Sequence, residues 1–213
     1  MRVRRKPAAS EKLISHQSVY QPGEIQPGEW NQHFPRSLPL HVELGTGKGK
    51  FLVQAAQSKS DVNWIGLERT KEPLLQAVQK GEHLQNVRYV WADVKLLTDL
   101  FALGEIAKLY LHFSDPWPKF RHRKRRLTHR LFLDRYQQVI APSGTIALKT
   151  DSKPLFTFSL AELQIRGWNI LHVTNDLHWS KWSQDNITTE YEEKFTANGF
   201  PIYYLEAKPP RFQ

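Results

Sequence analysis

The chain has 213 residues and no cysteine, and its 30 Lys and Arg against 21 Asp and Glu give a formal net charge of +9. The absence of cysteine excludes a disulfide scaffold and a thiolate metal site, and a domain of this length buries about 70% of its unfolded surface without needing cross-links. No apolar run approaches the roughly 20 residues of a membrane span, so we expect a cytoplasmic protein with no membrane partner.

Residues 1–36 are predicted to form a basic arm with little regular structure. Two Pro-Gly turns interrupt this segment, aliphatic residues are few, and no hydrophobic period is sustained. The arm opens with four cations, Arg2, Arg4, Arg5 and Lys6. Residues 37–213 are predicted to form a single domain.

From Leu38 onward, short apolar runs alternate with helical patterns, which predicts an α/β fold with a mostly parallel sheet covered on both faces. The predicted strands are 40–44, 64–67, 87–91, 107–113 and 145–148, and the predicted helices are 47–57, 73–80, 128–140 and 154–166. Two further strand candidates, 168–173 and 202–206, are compatible with an antiparallel hairpin at one edge of the sheet.

Four successive predicted strands end in a carboxylate. Glu43, Glu68, Asp93 and Asp115 follow the strands in that order. In an open parallel sheet the ligand lies beyond the carboxyl ends of the strands, so these side chains are expected to share one site. Any one of them alone is more simply explained as a helix cap or a solvated acid.

The first strand leads into Gly45-x-Gly47-x-Gly49. These glycines allow a tight turn and close approach to a ligand, but they match neither the P-loop nor the dinucleotide spacing. Glu43 also disfavours a pyrophosphate. S-adenosylmethionine has no phosphate, and its hydroxyl, amino, ammonium and sulfonium groups suit carboxylates. Glu68 follows at about the 20-residue offset at which an acid meets ribose hydroxyls.

A stiff loop, Ser114-Asp115-Pro116-Trp117-Pro118-Lys119, follows the fourth strand. Its prolines fix the backbone, and the Trp117 indole offers the flat face on which a flipped base stacks. A dense basic run follows and is expected to hold substrate phosphates, although such a run is also compatible with a solvated surface. The run comprises Arg121, His122, Arg123, Lys124, Arg125 and Arg126.

Several segments together resemble the bacterial tRNA (guanine-N7-)-methyltransferase family. The resemblance runs in matching order from about Leu38 to the C-terminal strand. Its most specific segments are Ser-Asp-Pro-Trp-Pro-Lys at 114–119 and Thr-Glu-Tyr-Glu at 189–192. The other matching segments are Glu43-x-Gly45-x-Gly47-x-Gly49, Ile65-Gly66-x-Glu68, Arg125-Arg126-Leu127-Thr128 and Lys149-Thr150-Asp151.

This resemblance implies a class I methyltransferase fold, which is Rossmann-like with a mostly parallel seven-stranded sheet, helices on both faces and an antiparallel C-terminal edge. It implies methyl transfer from S-adenosylmethionine to N7 of guanosine 46 in the variable loop of tRNA. The implied cofactor residues are Glu43, Gly45, Gly47, Gly49, Glu68, Asp93 and Asp115, the last also catalytic. The implied substrate contacts are Lys119, Asp151, Thr189, Glu190, Tyr191 and Glu192, and RNA contacts are implied for 121–126.

Guanine N7 already carries a lone pair and loses no proton on methylation, so no general base is needed. Alignment with the methyl group can lower such a barrier by about 7–11 kcal/mol. A carboxylate that accepts hydrogen bonds from guanine N1–H and the 2-amino group would select guanine over adenine. Asp115 is therefore expected to orient and stabilise the base, with Asp151 and Glu192 at the guanine edge.

Other interpretations stay open at the level of sequence. A non-catalytic nucleic-acid-binding module is disfavoured by the four strand-end acids, and a nicotinamide-dependent oxidoreductase by the glycine spacing. Thr189 and the following glutamates are also typical of a capped helix start. The nine histidines show no metal-ligand spacing, so no metal is expected, and His41 and His112 are expected to be satisfied core or rim groups. Monomer and homodimer are both compatible with the sequence.

Overall fold

The computed structural model describes residues 7–210, with side chains described from residue 10 onward. The four cations that open the predicted arm lie outside this range. The helices are α1 (Pro7–Ile14), α2 (Lys50–Ser58), α3 (Lys71–Gly81), α4 (Leu97–Leu100), α5 (Arg130–Val139), α6 (Lys153–Ile165) and α7 (Glu190–Ala197). The strands are β1 (Val19–Tyr20), β2 (Leu40–Leu44), β3 (Asn63–Glu68), β4 (Val87–Trp91), β5 (Ile106–His112), β6 (Ile140–Thr150), β7 (Asn169–Thr174) and β8 (Tyr203–Lys208).

The described strands form one sheet in the order β1-β4-β3-β2-β5-β6-β8-β7. Strands β1 to β6 pair in parallel, and β8 pairs antiparallel with both β6 and β7. These pairings confirm the mostly parallel α/β fold and the antiparallel C-terminal edge. The sheet has eight strands rather than the implied seven, because Val19 and Tyr20 pair with β4 at the opposite edge.

The order of the strands places the ligand crevice. From β2 the chain moves through α2 to β3 and through α3 to β4, and it then returns to the other side of β2 as β5. Ligands of open α/β sheets bind where the order reverses in this way, beyond the carboxyl ends of the strands. The crevice is therefore expected between the ends of β2 and β5.

Two boundaries differ from the sequence prediction because of glycine geometry. Helix α2 begins at Lys50 rather than at residue 47, since Gly47 and Gly49 have φ of +55° and +79°, which a right-handed helix does not allow. Strand β6 begins at Ile140, earlier than predicted, and its register against β5 shifts in this region. A Cβ at Gly144 would lie 2.7 Å from the Ala107 carbonyl oxygen, so the close pairing there requires glycine.

The N-terminal segment contains more regular structure than the sequence predicts. Helix α1, strand β1 and a 3-10 helix at Trp30–His33 lie within it. Trp30 is only 1% exposed, stacks on Phe101 at 5.5 Å between ring centroids, and donates from Nε1 to the Leu100 carbonyl oxygen at 2.8 Å. The carboxylate of Glu105 accepts from the backbone N–H groups of Gly28 and Trp30. These contacts fasten the segment to the domain core.

Replacing Trp30 with Ala tests this anchoring. The substitution removes a buried aromatic side chain and leaves a cavity, so we expect the free energy of unfolding to fall by about 3–5 kcal/mol. Trp179→Ala is the matched control, because Trp179 is 92% exposed, and it should change stability by less than about 0.5 kcal/mol. Urea unfolding monitored by circular dichroism measures both. Equal small effects would show that residues 7–36 do not pack on the core.

Candidate active site

A cavity of about 350 Å³ opens at the carboxyl ends of β2 and β5, where the strand order reverses. Glu43, Gly45 and Gly47 line it from the end of β2. His112 and Phe113 line it from the end of β5, and the segment Thr189–Tyr191 closes it from α7. Pro73 of α3 also lines the cavity, which therefore joins residues of four separate parts of the chain, among them six of the predicted site residues.

The glycine loop after β2 is shaped by backbone contacts. The backbone N–H groups of Gly45 and Thr46 both donate to the Leu67 carbonyl oxygen, at 2.7 and 3.1 Å, so the loop turns against the end of β3. A Cβ at Gly49 would lie 2.6 Å from Cβ of Ala77 in α3, so this position admits only glycine without movement of α3. Gly45 and Gly47, by contrast, leave open space beside the cavity.

Glu43 and His112 form a buried pair at the floor of the cavity. Thr46 Oγ1 donates to Glu43 Oε2 at 2.7 Å, and His112 Nδ1 lies 3.4 Å from Glu43 Oε1 without forming a hydrogen bond. Burial raises the pKa of Glu43 to about 8, against the opposing effects of Thr46 and Lys149. Burial lowers the pKa of His112 well below its ordinary value. Near neutral pH both groups are therefore mainly uncharged.

Glu68 is the last residue of β3 and Asp93 follows β4, and neither residue lines the cavity itself. Glu68 accepts from the backbone N–H of Gly47 at 3.2 Å and from that of Thr70 at 2.8 Å, so it is tied to the glycine loop. Asp93 accepts from the Lys95 N–H at 2.9 Å and caps the following 3-10 helix. Both oxygens of Glu68 keep a lone pair that a further donor can use.

The loop carrying Asp115 combines stiff residues with backbone strain. Phe113 and Trp117 have φ of +50° and +42°, a left-handed conformation that costs a residue with a side chain of order 1–3 kcal/mol. Asp115 is exposed and makes no hydrogen bond or ion pair with any residue described. It lies two residues beyond Phe113 of the cavity wall. Ser114 Oγ is buried and has no partner in residues 7–210.

The basic run forms a 3-10 helix, Phe120–Arg125, and its side chains diverge. Arg121, Lys124 and Arg125 are exposed, whereas His122 and Arg123 are half-buried. The Arg125 guanidinium lies 4.8 Å from the centre of the Trp117 ring, and His122 meets the same indole edge-on. Arg126 is buried at 9% exposure, so it does not share the outer surface of the run.

Helix α7 begins with the capping box that the sequence suggested. Thr189 Oγ1 accepts from the Glu192 N–H at 2.9 Å, and the Glu192 carboxylate accepts from the Thr189 N–H at 3.3 Å. Glu192 is fully buried and also accepts from Asn186 and pairs with His178. The Glu192 carboxylate thus holds the start of the helix.

Lys149 secures α7 to the sheet. From the carboxyl end of β6 its ammonium donates to the Ile187 carbonyl oxygen at 2.8 Å, to Glu192 Oε2 at 3.0 Å and to the Asn186 side chain. These three bonds use all three of its protons. Burial lowers the pKa of Lys149, and the nearby Glu192 charge opposes this shift.

Two further ion pairs connect α7 to the other side of the cavity. Lys80 of α3 contacts Glu190 at 2.7 Å, and Lys50 of α2 contacts Glu193. Tyr191 is exposed and stacks on Phe113 with 6.2 Å between ring centroids. Thr189, Glu190 and Tyr191 therefore form a wall opposite the glycine loop.

Some of the predicted site residues do not line the cavity. Lys119 ends the Asp115 loop and Asp151 follows β6, and neither residue lines the cavity. Sequence reasoning missed the partners Lys149 and His112, although each stands at a strand end where ligands gather. The expectation for His41 is confirmed, because its Nδ1 lies 3.1 Å from the Tyr110 hydroxyl, but His112 Nδ1 is unsatisfied within the described residues.

The chain resembles known proteins over nearly its whole length. Residues 37–205 match a family model described as a putative methyltransferase. The tRNA (guanine-N(7)-)-methyltransferase of Geobacillus kaustophilus is 47% identical, with 99% of each chain covered. That of Listeria monocytogenes is 44% identical, with 98% of each chain covered. The chain belongs to the tRNA (guanine-N7-)-methyltransferase family.

Solved structures support the fold of this family member. A 16S rRNA methyltransferase, KamB, superposes with a TM-score of 0.62 at 12% identity, covering 84% of this chain and 91% of KamB. An antibiotic-related methyltransferase gives 0.58 at 18% identity, covering 83% and 88%. At such identities the likeness concerns the fold alone, and it agrees with the class I methyltransferase architecture implied by the sequence.

Residues 7–210 contain neither a cluster of metal-ligating side chains nor a helix that could span a membrane. Between residues 7 and 210 no three His, Asp or Glu side chains are grouped so that they could hold a metal ion. Within the same residues, no helix is both long and apolar enough to cross a membrane.

Substituting Glu43 with Gln tests the buried carboxyl through stability. The raised pKa means that the folded chain binds this proton more tightly than the unfolded chain, in which the pKa is near 4.5. The resulting stabilisation is complete below about pH 4.5 and is lost as the pH rises through about 8. Between pH 5 and 8 the stability of wild type relative to Glu43→Gln should therefore fall, by up to about 1.4 kcal/mol per pH unit.

Urea unfolding of both proteins at several pH values measures this difference. The lowered pKa of His112 has the opposite effect, because it adds stability as the pH rises towards neutrality. His112 is present in both proteins, so its contribution largely cancels in the comparison. A stability difference that stays constant with pH would contradict the protonated Glu43.

Proposed function

We propose that the chain transfers a methyl group from S-adenosylmethionine to N7 of guanosine 46 in the variable loop of tRNA, in the cytoplasm. The observation that carries this proposal is the cavity that brings Glu43 and the glycine loop together with Thr189–Tyr191. Those two segments are the cofactor and substrate motifs of the family resemblance. The Asp115 loop starts at the same wall.

The residues of the cavity fit the methyl donor. Glu43 Oε1 makes no hydrogen bond among the described residues, so it is available to an ammonium group, which would favour its ionised form. Glu68 keeps lone pairs for ribose hydroxyls, and the open space at Gly45 and Gly47 allows close approach. When bound, the donor supplies an electrophilic methyl group on a sulfonium.

Asp115 is the residue that we assign to the guanine. Its exposed carboxylate can accept from N1–H and the 2-amino group, which leaves N7 free and distinguishes guanine from adenine. The same negative charge stabilises the positive charge that develops on the purine. No proton leaves N7, so Asp115 acts by orientation and electrostatics. Asp151 is half-buried directly after β6, and we assign it to the guanine edge as a second acid.

The outer surface of the basic run is assigned to the RNA backbone. Arg121, Lys124 and Arg125 are exposed beside the Asp115 loop, and no acid interrupts the run. Cations placed in this way neutralise phosphates and release condensed counterions. Of the predicted RNA contacts, Arg126 does not fit this role because it is buried.

Methyl transfer to an unmodified tRNA transcript tests the reaction. Wild type should form 7-methylguanosine, identified by mass and chromatography, and a transcript with adenosine at position 46 should remain unmodified. Asp115→Asn keeps the size of the side chain and removes the charge, so the single-turnover rate should fall by about 10²–10³-fold.

The pH profile of the single-turnover rate distinguishes orientation of the guanine by Asp115 from proton abstraction by Asp115. If Asp115 only positions the guanine, the single-turnover rate should not rise with pH in the way that deprotonation of a general base would cause. If wild type showed such a rise and Asp115→Asn abolished it, proton abstraction would replace orientation as the mechanism. A product other than 7-methylguanosine would overturn the proposed activity.

Lys124→Ala tests the RNA-binding surface. Losing one phosphate contact should weaken tRNA binding and reduce the slope of log Kd against log salt concentration by about one unit. Lys59→Ala is the matched control, because Lys59 is also exposed but follows the far end of α2, away from the carboxyl ends of the strands. Filter binding over a range of KCl concentrations measures both slopes. Identical slopes for the two variants would exclude a phosphate contact at Lys124.

A further inference from the structure

Arg126 occupies a different environment from the cations that precede it. Arg125 is exposed, whereas Arg126 is 9% exposed and turned towards the protein. Its guanidinium donates from Nε to the Pro116 carbonyl oxygen at 3.0 Å and from one terminal nitrogen to the Trp117 carbonyl oxygen at 3.1 Å. Two consecutive carbonyl groups of the Asp115 loop are thus held by one side chain.

The flat face of the Arg126 guanidinium also packs on an aromatic ring. Its central carbon lies 4.4 Å from the centre of the Phe158 ring of α6, and His129 stacks on that ring with 6.3 Å between centroids. A planar guanidinium can stack on an aromatic face while its N–H groups form a fork in the same plane. Arg126 therefore connects the loop to a helix of the rigid domain.

Within residues 7–210, Arg126 supplies the only side-chain hydrogen bonds to this loop. Trp117 adopts a left-handed backbone conformation at φ +42°, which is stable only when surrounding contacts hold it. Pro116 and Pro118 contribute no N–H groups to backbone bonding. Asp115 has no partner in residues 7–210, so the direction of its carboxylate depends on the backbone that Arg126 holds.

We propose that Arg126 is a positioning residue, which fixes the backbone at Pro116 and Trp117 and thereby directs the Asp115 carboxylate towards the substrate guanine. This role rests on the proposed function. It differs from the role expected of Arg126 in the sequence, which was contact with RNA phosphate.

Arg126→Lys separates these roles because it keeps the charge and loses the planar fork. As a positioning residue, Arg126 predicts a single-turnover rate at saturating tRNA and cofactor that falls by at least about tenfold, with the tRNA Kd and its salt slope close to wild type. The matched control Lys124→Ala should show the reverse pattern, a weaker Kd and a flatter slope.

Arg126→Ala completes the comparison, and ethylguanidinium added at low concentration should restore part of its rate without affecting Lys124→Ala. If Arg126 binds phosphate instead, Arg126→Lys keeps its rate and Arg126→Ala loses about one unit of salt slope. That pattern would overturn the positioning role.

Fluorine NMR of 5-fluorotryptophan-labelled protein gives a readout that needs neither tRNA nor activity. Trp117→Phe assigns the Trp117 signal, and this signal should shift or broaden in Arg126→Lys but not in Lys124→Ala. An unchanged Trp117 signal in a folded Arg126→Lys protein would overturn the proposal that Arg126 holds the Asp115 loop. If wild type forms no 7-methylguanosine, the proposed function fails, and the fluorine spectra still decide whether Arg126 holds the loop.

Discussion

The cavity depends on one buried ion pair, between Lys149 at the end of β6 and Glu192 at the start of α7. Removing one partner of such a pair typically costs about 3–5 kcal/mol, because the other charge stays buried and uncompensated. The pairs of α7 with Lys50 and Lys80 are more exposed, and pairs of that kind contribute only about 0–1 kcal/mol each. The wall formed by Thr189 and Tyr191 is therefore held mainly through Lys149.

Most of the fold follows from local sequence. The apolar runs at Leu40–Leu44 and Val87–Trp91 are short and bounded by polar residues, and each forms the strand that its pattern predicts. The N-terminal segment was missed because its few apolar residues, such as Val19 and Trp30, follow no period. Each is buried by a partner far along the chain, which local pattern does not reveal.

The site was predictable in its residue types and less so in their exposure. Glu43 and the glycine loop lie at the cavity as their strand-end positions suggest. Arg126 and Glu192 both belong to charged runs that predict surface residues, yet each is buried because an opposite charge or carbonyl group from another segment receives it. Neighbouring charges in one run can therefore serve separate purposes.

The anchoring of the N-terminal segment has a consequence for the order of events during synthesis. This segment leaves the ribosome before the sheet strands β2 to β8, but Trp30 bonds to Leu100, 70 residues later, and β1 pairs with β4. The segment therefore cannot pack on the core until α4 has been translated. Its docking is therefore a late, non-local closing step, of the kind that slows folding. Until then the outer edge of β4 stays open to pairing with another nascent chain.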